Sequence, residues 1–170
     1  QKLIEKAIRK QKGLTLICGT TGSGKTVTQA TCLNMINKVN DGRISIRTAE
    51  SPVEIKIPGT RQRSLSDAKE YAETIRVFMR LDPDVMMIGE IRDEASAKGV
   101  MHSTLSGHPV FGTLHAGNAQ TAAARLQGLG VDRITMAEDG FLNLVINQTL
   151  IRTLCSHCKV IFDESIESKD

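Results

Sequence analysis

The stretch "CGTTGSGKTVTQA", residues 18–30, decides how the rest of the chain is read. Ahead of Val27 it holds four hydroxyl side chains, three glycines and one lysine. Before it lies "GLTLI" (Gly13 to Ile17), apolar and β-prone, and after it the pattern is helical. Glycines in such a place expose bare backbone between a strand and a helix, and exposed N–H groups there suit a phosphate. Residues 19–26 fit G-x-x-x-x-G-K-[ST]. Gly19, Thr20, Thr21, Gly22, Ser23 and Gly24 supply a turn whose successive N–H groups can point at one phosphate. Lys25 adds charge for the β- and γ-phosphates, and Thr26 offers a hydroxyl to Mg²⁺. The helix that follows presents the positive end of its dipole to the same place.

Working outward, the 170 residues are enough for one domain with a proper core. Hydrophobic residues at 40% and charged residues at 24% are the balance of a soluble globular chain. A net charge of +3 is too slight to argue for a nucleic-acid partner. Aromatics are 3%, with no Trp and one Tyr (Tyr71), which is thin material for stacking bases. No apolar run approaches the roughly 20 residues of a membrane helix. The opening "QKLIEKAIRK" is an amphipathic helix pattern rather than a signal peptide. It starts at Gln1 with a helix under way, and "DESIESKD" closes without a terminator, so the chain reads as a piece of a longer protein. Four cysteines, two of them in a CxxC at Cys155 and Cys158, are too few and too scattered for a disulfide framework, and a reduced compartment is expected.

The pattern alternates. Helix is expected over 2–11, strand over 14–18, helix over 25–39 and strand over 43–50. "PVEIKIP" alternates Val53, Ile55 and Ile57 against Glu54 and Lys56, which predicts a half-exposed strand between Pro52 and Pro58. Residues 66–81 carry apolar side chains at helical spacing, and "DVMMIGE" is a short buried strand. Helix follows over 93–105, strand over 109–115, helices over 118–128 and 134–146, and a last strand over 148–154. Strand–helix alternation predicts an α/β domain with a mainly parallel central sheet flanked by helices.

A phosphate cradle needs a second half that aims a nucleophile. Glu90 ends a buried strand, and strand ends in α/β sheets face the crevice where ligands bind. A carboxylate there can polarise a water, directly or through Mg²⁺. Left out of the site, Glu90 would instead pair with Arg92. His115 follows the strand in "HPVFGTLHAG" and reaches the same end, within range of a γ-phosphate. His108 starts that strand and falls at the opposite end, where a structural role fits better, and His102 sits on a helix with no chemical task.

Taken together these residues resemble the motor domain of the secretion and type IV pilus ATPases, the GspE/PilB/PilT superfamily. The resemblance runs from about Gly13 to Cys158. The phosphate loop is followed by "TAESPVE" (Thr48 to Glu54), similar to the family's acidic T-x-E-D-P-x-E box. "RLDPDVMMIGEIRD" (Arg80 to Asp93) resembles its Walker B segment, and "SGHPVFGTLHAGNA" (Ser106 to Ala119) its His box, before a closing "LIRTLC".

The resemblance implies a RecA-like P-loop NTPase domain over 1–154, a CxxC segment beginning at 155, and a family N-terminal domain outside this sequence. It implies Mg²⁺-dependent ATP hydrolysis driving pilus assembly or type II secretion. Glu90 would orient water, Glu50 and Glu54 would join the metal and water network, and His115 would sense the γ-phosphate with His108 in support. Arg76, Arg80 and Arg92 stand where the family has arginines, and a finger supplied in trans would come from the N-terminal domain or a neighbouring subunit. The implied partners are further copies in a ring, a hexamer, and an inner-membrane platform protein, with no direct nucleic acid. The implied location is cytoplasmic, peripheral at the inner membrane. On this view the isolated piece is a slow ATPase. The chain departs from the pattern at Ser51, which replaces the usual Asp, and at Thr149, which replaces a usual Arg. The extension and secretion members carry paired CxxC motifs that bind Zn²⁺, so Cys155 and Cys158 lean the resemblance toward GspE and PilB. Tetrahedral structural zinc wants four ligands, whereas the sequence offers these two and His157, so zinc is an expectation for the full-length protein. A nucleic-acid translocase on the same fold and a nucleotide-binding regulatory subunit are the competing readings.

Overall fold

A computed structural model describes residues 2–10 and 12–159. Its elements are α1 (Lys2–Lys10), β1 (Leu14–Cys18), α2 (Lys25–Val39), β2 (Ile46–Glu50), β3 (Thr60–Ser64), α3 (Ala68–Met79), β4 (Val85–Ile88), α4 (Glu94–Leu105), β5 (Val110–Leu114), α5 (Ala119–Gly128), α6 (Arg133–Ala137) and β6 (Leu142–Asn147). The six strands form one sheet in the order β3-β2-β4-β5-β1-β6. Every pairing is parallel, so all strands deliver their C-terminal ends to one edge.

A parallel sheet is covered on both faces, which is why its inner strands read as continuous apolar runs. β1, β4 and β5 are buried at every position. Successive side chains point to opposite faces. Met86 and Ile88 therefore join a core with Tyr71, Ile75 and Phe78 of α3 and Val100 of α4. Val85 and Met87 turn the other way, to Ile8 of α1 and Leu33 and Ile36 of α2. The result is three layers, with α1 and α2 on one face and α3, α4 and α5 on the other.

The expected α/β fold with its parallel sheet is present, and three local expectations are corrected. Residues 53–57 are not a strand. Ile57 is buried in the α2-side core, but its N–H is bound by the Gln62 side chain at 2.8 Å rather than by a ladder partner. The edge strand is instead β3, whose TRQRS sequence has no apolar alternation and pairs residue for residue with β2. The helix expected over 134–146 stops at Ala137; Gly140 takes a left-handed φ of 84°, and residues 142–147 form β6 beside β1. Consequently 148–154 is not a strand but an exposed segment apart from half-buried Gln148. The division expected at 155 leaves 155–159 as an exposed turn, and 160–170 lie outside the described residues.

Candidate active site

The loop between β1 and α2 is anchored by burial at both ends, with Cys18 and Leu33 shielded from solvent. Burial pushes the Cys18 thiol up to about 11, against a smaller opposing pull from the Lys25 charge, so it remains a neutral core group. Gly24 is the N-cap of α2 with φ 83° and no side-chain cap, which leaves the first N–H groups of the helix for a ligand. A Cβ at Gly19 would collide with the Ser23 hydroxyl and the Gln148 carbonyl, so only glycine fits there.

Lys25 is 9% exposed and curls back over this loop, donating from Nζ to the carbonyls of Gly19 (3.0 Å) and Thr20 (2.9 Å). An ammonium has three donors, so one is left over for an anion. The Ser23 hydroxyl is buried and, among the described residues, has no hydrogen-bond partner. An uncapped helix start, a buried ammonium bound only by neutral carbonyls and an orphaned hydroxyl together fit a phosphate group. Thr26 is half-buried on the first turn of α2, and its hydroxyl is the one that would hold Mg²⁺ beside such a phosphate.

The loop forms one wall of an open cleft of about 410 Å³ at the C-terminal edge of the sheet. Facing it are Glu50, Glu90, His115, Tyr71 and Arg92, together with the 51–55 loop. Gly89 donates its N–H to the Ala49 carbonyl at 2.8 Å, and Ile91 donates to the Thr113 carbonyl at 2.9 Å. These bonds fix the backbone on either side of Glu90. The Thr113 hydroxyl donates to the Gly89 carbonyl from β5. Asp93 then caps α4 in a reciprocal box with Ser96, ending the irregular segment three residues after Glu90.

Glu90 Oε1 lies 3.3 Å from His115 Nε2, close enough for an Nε2–H to donate to the carboxylate. Arg92 does not compete for it: its guanidinium stacks 5.6 Å from the Tyr71 ring centre and approaches Asp93 at 4.0 Å. Glu50 is 4% exposed and accepts at Oε1 from the Thr48 hydroxyl and from Gln62 Nε2, the latter at 3.0 Å. Ser51 and Glu54 are exposed on the same wall. Burial pushes the Tyr71 phenol up to about 12, with Arg92 pulling against the nearby Glu90 and Glu50 charges.

Residues 21–26, Glu50, Glu90 and His115 thus come together, and Arg92 with them, whereas Gly19 and Thr20 lie outside the cleft lining and meet Lys25 through their carbonyls. Arg76 and His102 instead line a separate groove between α3 and α4, and Arg80 caps the end of α3. His108 sits at the far end of β5, 3.0 Å from the Ser106 hydroxyl through Nδ1. Thr149 is exposed and does not line the cleft. Cys155, His157 and Cys158 share an exposed turn, and no group of three or more His, Cys, Asp or Glu suited to a metal occurs among the described residues.

Two cleft residues, Tyr71 and Gln29, and Gln148 behind the phosphate loop carry no sequence signal as site residues. Tyr71 reads as one more helix-core position. Gln29, one turn after Lys25, is buried and donates from Nε2 to the Ile88 carbonyl at 3.2 Å, tying α2 to the strand that leads to Glu90. Gln148 braces the phosphate loop from behind: its N–H donates to the Cys18 carbonyl at 2.9 Å and its side chain to the Ser23 carbonyl. Only the placement of β6 beside β1 makes that contact available.

A parallel sheet with a phosphate loop after its first strand and carboxylates at the C-terminal ends of β2 and β4 defines a P-loop nucleotide-binding domain. The model of the type II/IV secretion system protein family matches residues 1–169, and the chain belongs to that family. It is 41% identical over 155 residues to the type IV pilus assembly ATPase PilB of Pseudomonas aeruginosa, covering 90% of this chain and 26% of that protein. The type II secretion system protein E of the same organism is 36% identical over 161 residues, covering 94% of this chain and 31% of that protein. The chain therefore spans about a quarter to a third of these curated relatives. Among solved structures, the pilus retraction motor PilT with bound ADP aligns at a TM-score of 0.67 and 31% identity, over 79% of this chain and 40% of that one. The family placement on the PilB/GspE side agrees with the sequence motifs. No described helix is long and apolar enough to cross a membrane.

Proposed function

We propose that this chain is the motor domain of a type IV pilus assembly or type II secretion ATPase, hydrolysing ATP with Mg²⁺. The observation that carries the reading is the convergence, in one cleft, of the phosphate loop with the Glu90–His115 pair and buried Glu50. Lys25 and the α2 N–H groups bind and orient the β- and γ-phosphates. Glu90 orients the attacking water and accepts its proton, and His115 fixes the Glu90 carboxylate while facing the γ-phosphate. Glu50 holds the water network on the opposite wall. Thr26 would hold Mg²⁺, which when bound neutralises charge on the phosphates. Arg92, placed in the cleft, acts there in cis, and an arginine in trans comes from another subunit or domain.

By the names of its relatives, the whole protein works in a pilus or secretion system. We assign it a ring of identical subunits, a hexamer, bearing on an inner-membrane platform protein from the cytoplasmic side. In this division, residues 1–154 are the motor and the segment from 155 is the start of a zinc-binding extension. The test is Lys25→Ala in the full-length protein. Hydrolysis should be abolished and the fold retained, because the side chain bonds only two loop carbonyls. Turnover near that of the wild type would overturn the assignment, and hydrolysis that depends on added DNA would favour the translocase.

A further inference from the structure

Gln62 lies on the edge strand β3, in the polar stretch that gives no strand signal. Its carboxamide nonetheless makes three hydrogen bonds that converge on one wall of the cleft. Nε2 donates to Glu50 Oε1 at 3.0 Å and to the Ile55 carbonyl at 2.8 Å, while Oε1 accepts from the Ile57 N–H at 2.8 Å. Both N–H bonds of the amide are used. The partners also fix which way the amide faces, because a flipped group would set oxygen against two acceptors and N–H against a donor.

Across the ladder, Gln62 is in register with Thr48, whose hydroxyl donates to the same Glu50 oxygen. Two neutral donors from adjacent strands therefore hold Oε1 of a carboxylate that is almost fully buried. Among the described residues Oε2 has no hydrogen-bond partner, so the constraint falls on one oxygen and leaves the other for what enters the cleft. The same amide pins residues 55 and 57, and through them the loop that brings Ser51, Pro52, Glu54 and Ile55 to the cleft wall. Gln62 itself does not line the cleft.

We propose that Gln62 is a positioning residue of the active site, an inference that rests on the ATPase reading above. It sets the orientation of the Glu50 carboxylate, and through that carboxylate the rate of turnover, without touching nucleotide. Removing the hydrogen-bonding partners behind a metal ligand costs on the order of 10- to 100-fold, and the lower end of that range sets the scale for a carboxylate held in the same way. Gln62→Met keeps the length and removes all three hydrogen bonds.

The experiment is a double-mutant cycle in the full-length protein, reading kcat, KM and the thermal midpoint for Gln62→Met, Glu50→Gln and the pair. Expected is a fall of about tenfold in kcat for Gln62→Met with KM changed less than about twofold, and less than about twofold further loss when Gln62→Met is added to Glu50→Gln. Gln62→Glu is the second variant, used in the same cycle if the Met variant fails to fold. It keeps the acceptor for Ile57 and turns the donor facing Glu50 and the Ile55 carbonyl into a carboxylate oxygen, so its loss should shrink once Glu50 is Gln, with the clash against the Ile55 carbonyl remaining. Losses that multiply independently of Glu50, or a change in KM alone, would overturn the inference and leave the ATPase reading standing. No hydrolysis by the wild type would overturn the ATPase reading and this inference with it.

Discussion

Replacing Glu90 by Gln separates what the Glu90–His115 pair is worth to the fold from what it is worth to the reaction. The two groups are 3.3 Å apart, and their side chains are 39% and 38% exposed. With the imidazole charged, the Coulomb energy at that separation in a water-like medium is about 1 kcal/mol, and exposed pairs measure about 0–1 kcal/mol once side-chain entropy and screening are included; a neutral imidazole leaves a hydrogen bond of about the same net worth. For a domain of this size that is a thermal midpoint shift of no more than about 4 °C. Glutamine keeps the shape and an acceptor oxygen but cannot take a proton at neutral pH. Loss of a general base costs about 10²- to 10⁴-fold in rate, or about 3–5 kcal/mol on the barrier. The rate effect should therefore far exceed the stability effect. The assay is steady-state phosphate release with nucleotide binding and thermal unfolding measured on the same full-length preparations. Glu90→Gln should bind ATP with little change and hydrolyse it at least about a hundredfold more slowly. If affinity fell as far as turnover, or turnover stayed within tenfold of the wild type, the general-base reasoning would be wrong.

Gly24→Val should cut nucleotide affinity by about tenfold or more, because a non-glycine residue at φ 83° costs about 1–2 kcal/mol and the new Cβ would sit 3.1 Å from Gln148 Nε2. Gly128→Ala, with no neighbour within 4 Å, is the matched control, and calorimetric titration showing wild-type affinity for Gly24→Val would contradict the loop's assigned strain. Tyr71 should stay un-ionised well past the ordinary phenol value of 10.0 and titrate near 12 in the folded chain. Because its folded value is raised, its contribution to stability is complete below the unfolded value and is lost as pH rises toward 12. Tyr71 is the sole tyrosine and there is no Trp, so ultraviolet difference absorbance of the 170-residue chain follows it directly. A midpoint near 10 with the fold intact would place the ring in solvent rather than in the buried core between α3 and the sheet.

The phosphate loop was legible because its chemistry is contiguous. Gly24 must be left-handed, Lys25 must follow it, and an apolar strand must precede both, all within residues 14–26. Glu90 and His115 were legible for a related reason: each follows a buried apolar run, and parallel strand ends share an edge. Their pairing was not. It requires β4 to lie beside β5, with Ile88 opposite Gly112, and that adjacency is a property of the sheet order.

Where the sequence misled, local pattern and tertiary context disagreed. The alternation of Val53, Ile55 and Ile57 is real, and it buries Ile57, but the Ile57 N–H is taken by the Gln62 side chain at 2.8 Å and the segment stays a loop. The strand is the polar Thr60–Ser64, which needs no apolar face because an edge position in register with β2 supplies the hydrogen bonds. Residues 142–147 support helix and strand equally as a short apolar run, and they become β6 because β1, more than a hundred residues earlier in the chain, offers a free edge. Residue type and spacing singled out the candidates for binding phosphate and moving a proton. Only the folded sheet decided which of them meet, because Gln62 reaches Glu50 through the β2–β3 pairing, and Gln148 reaches Ser23 from the far end of the chain.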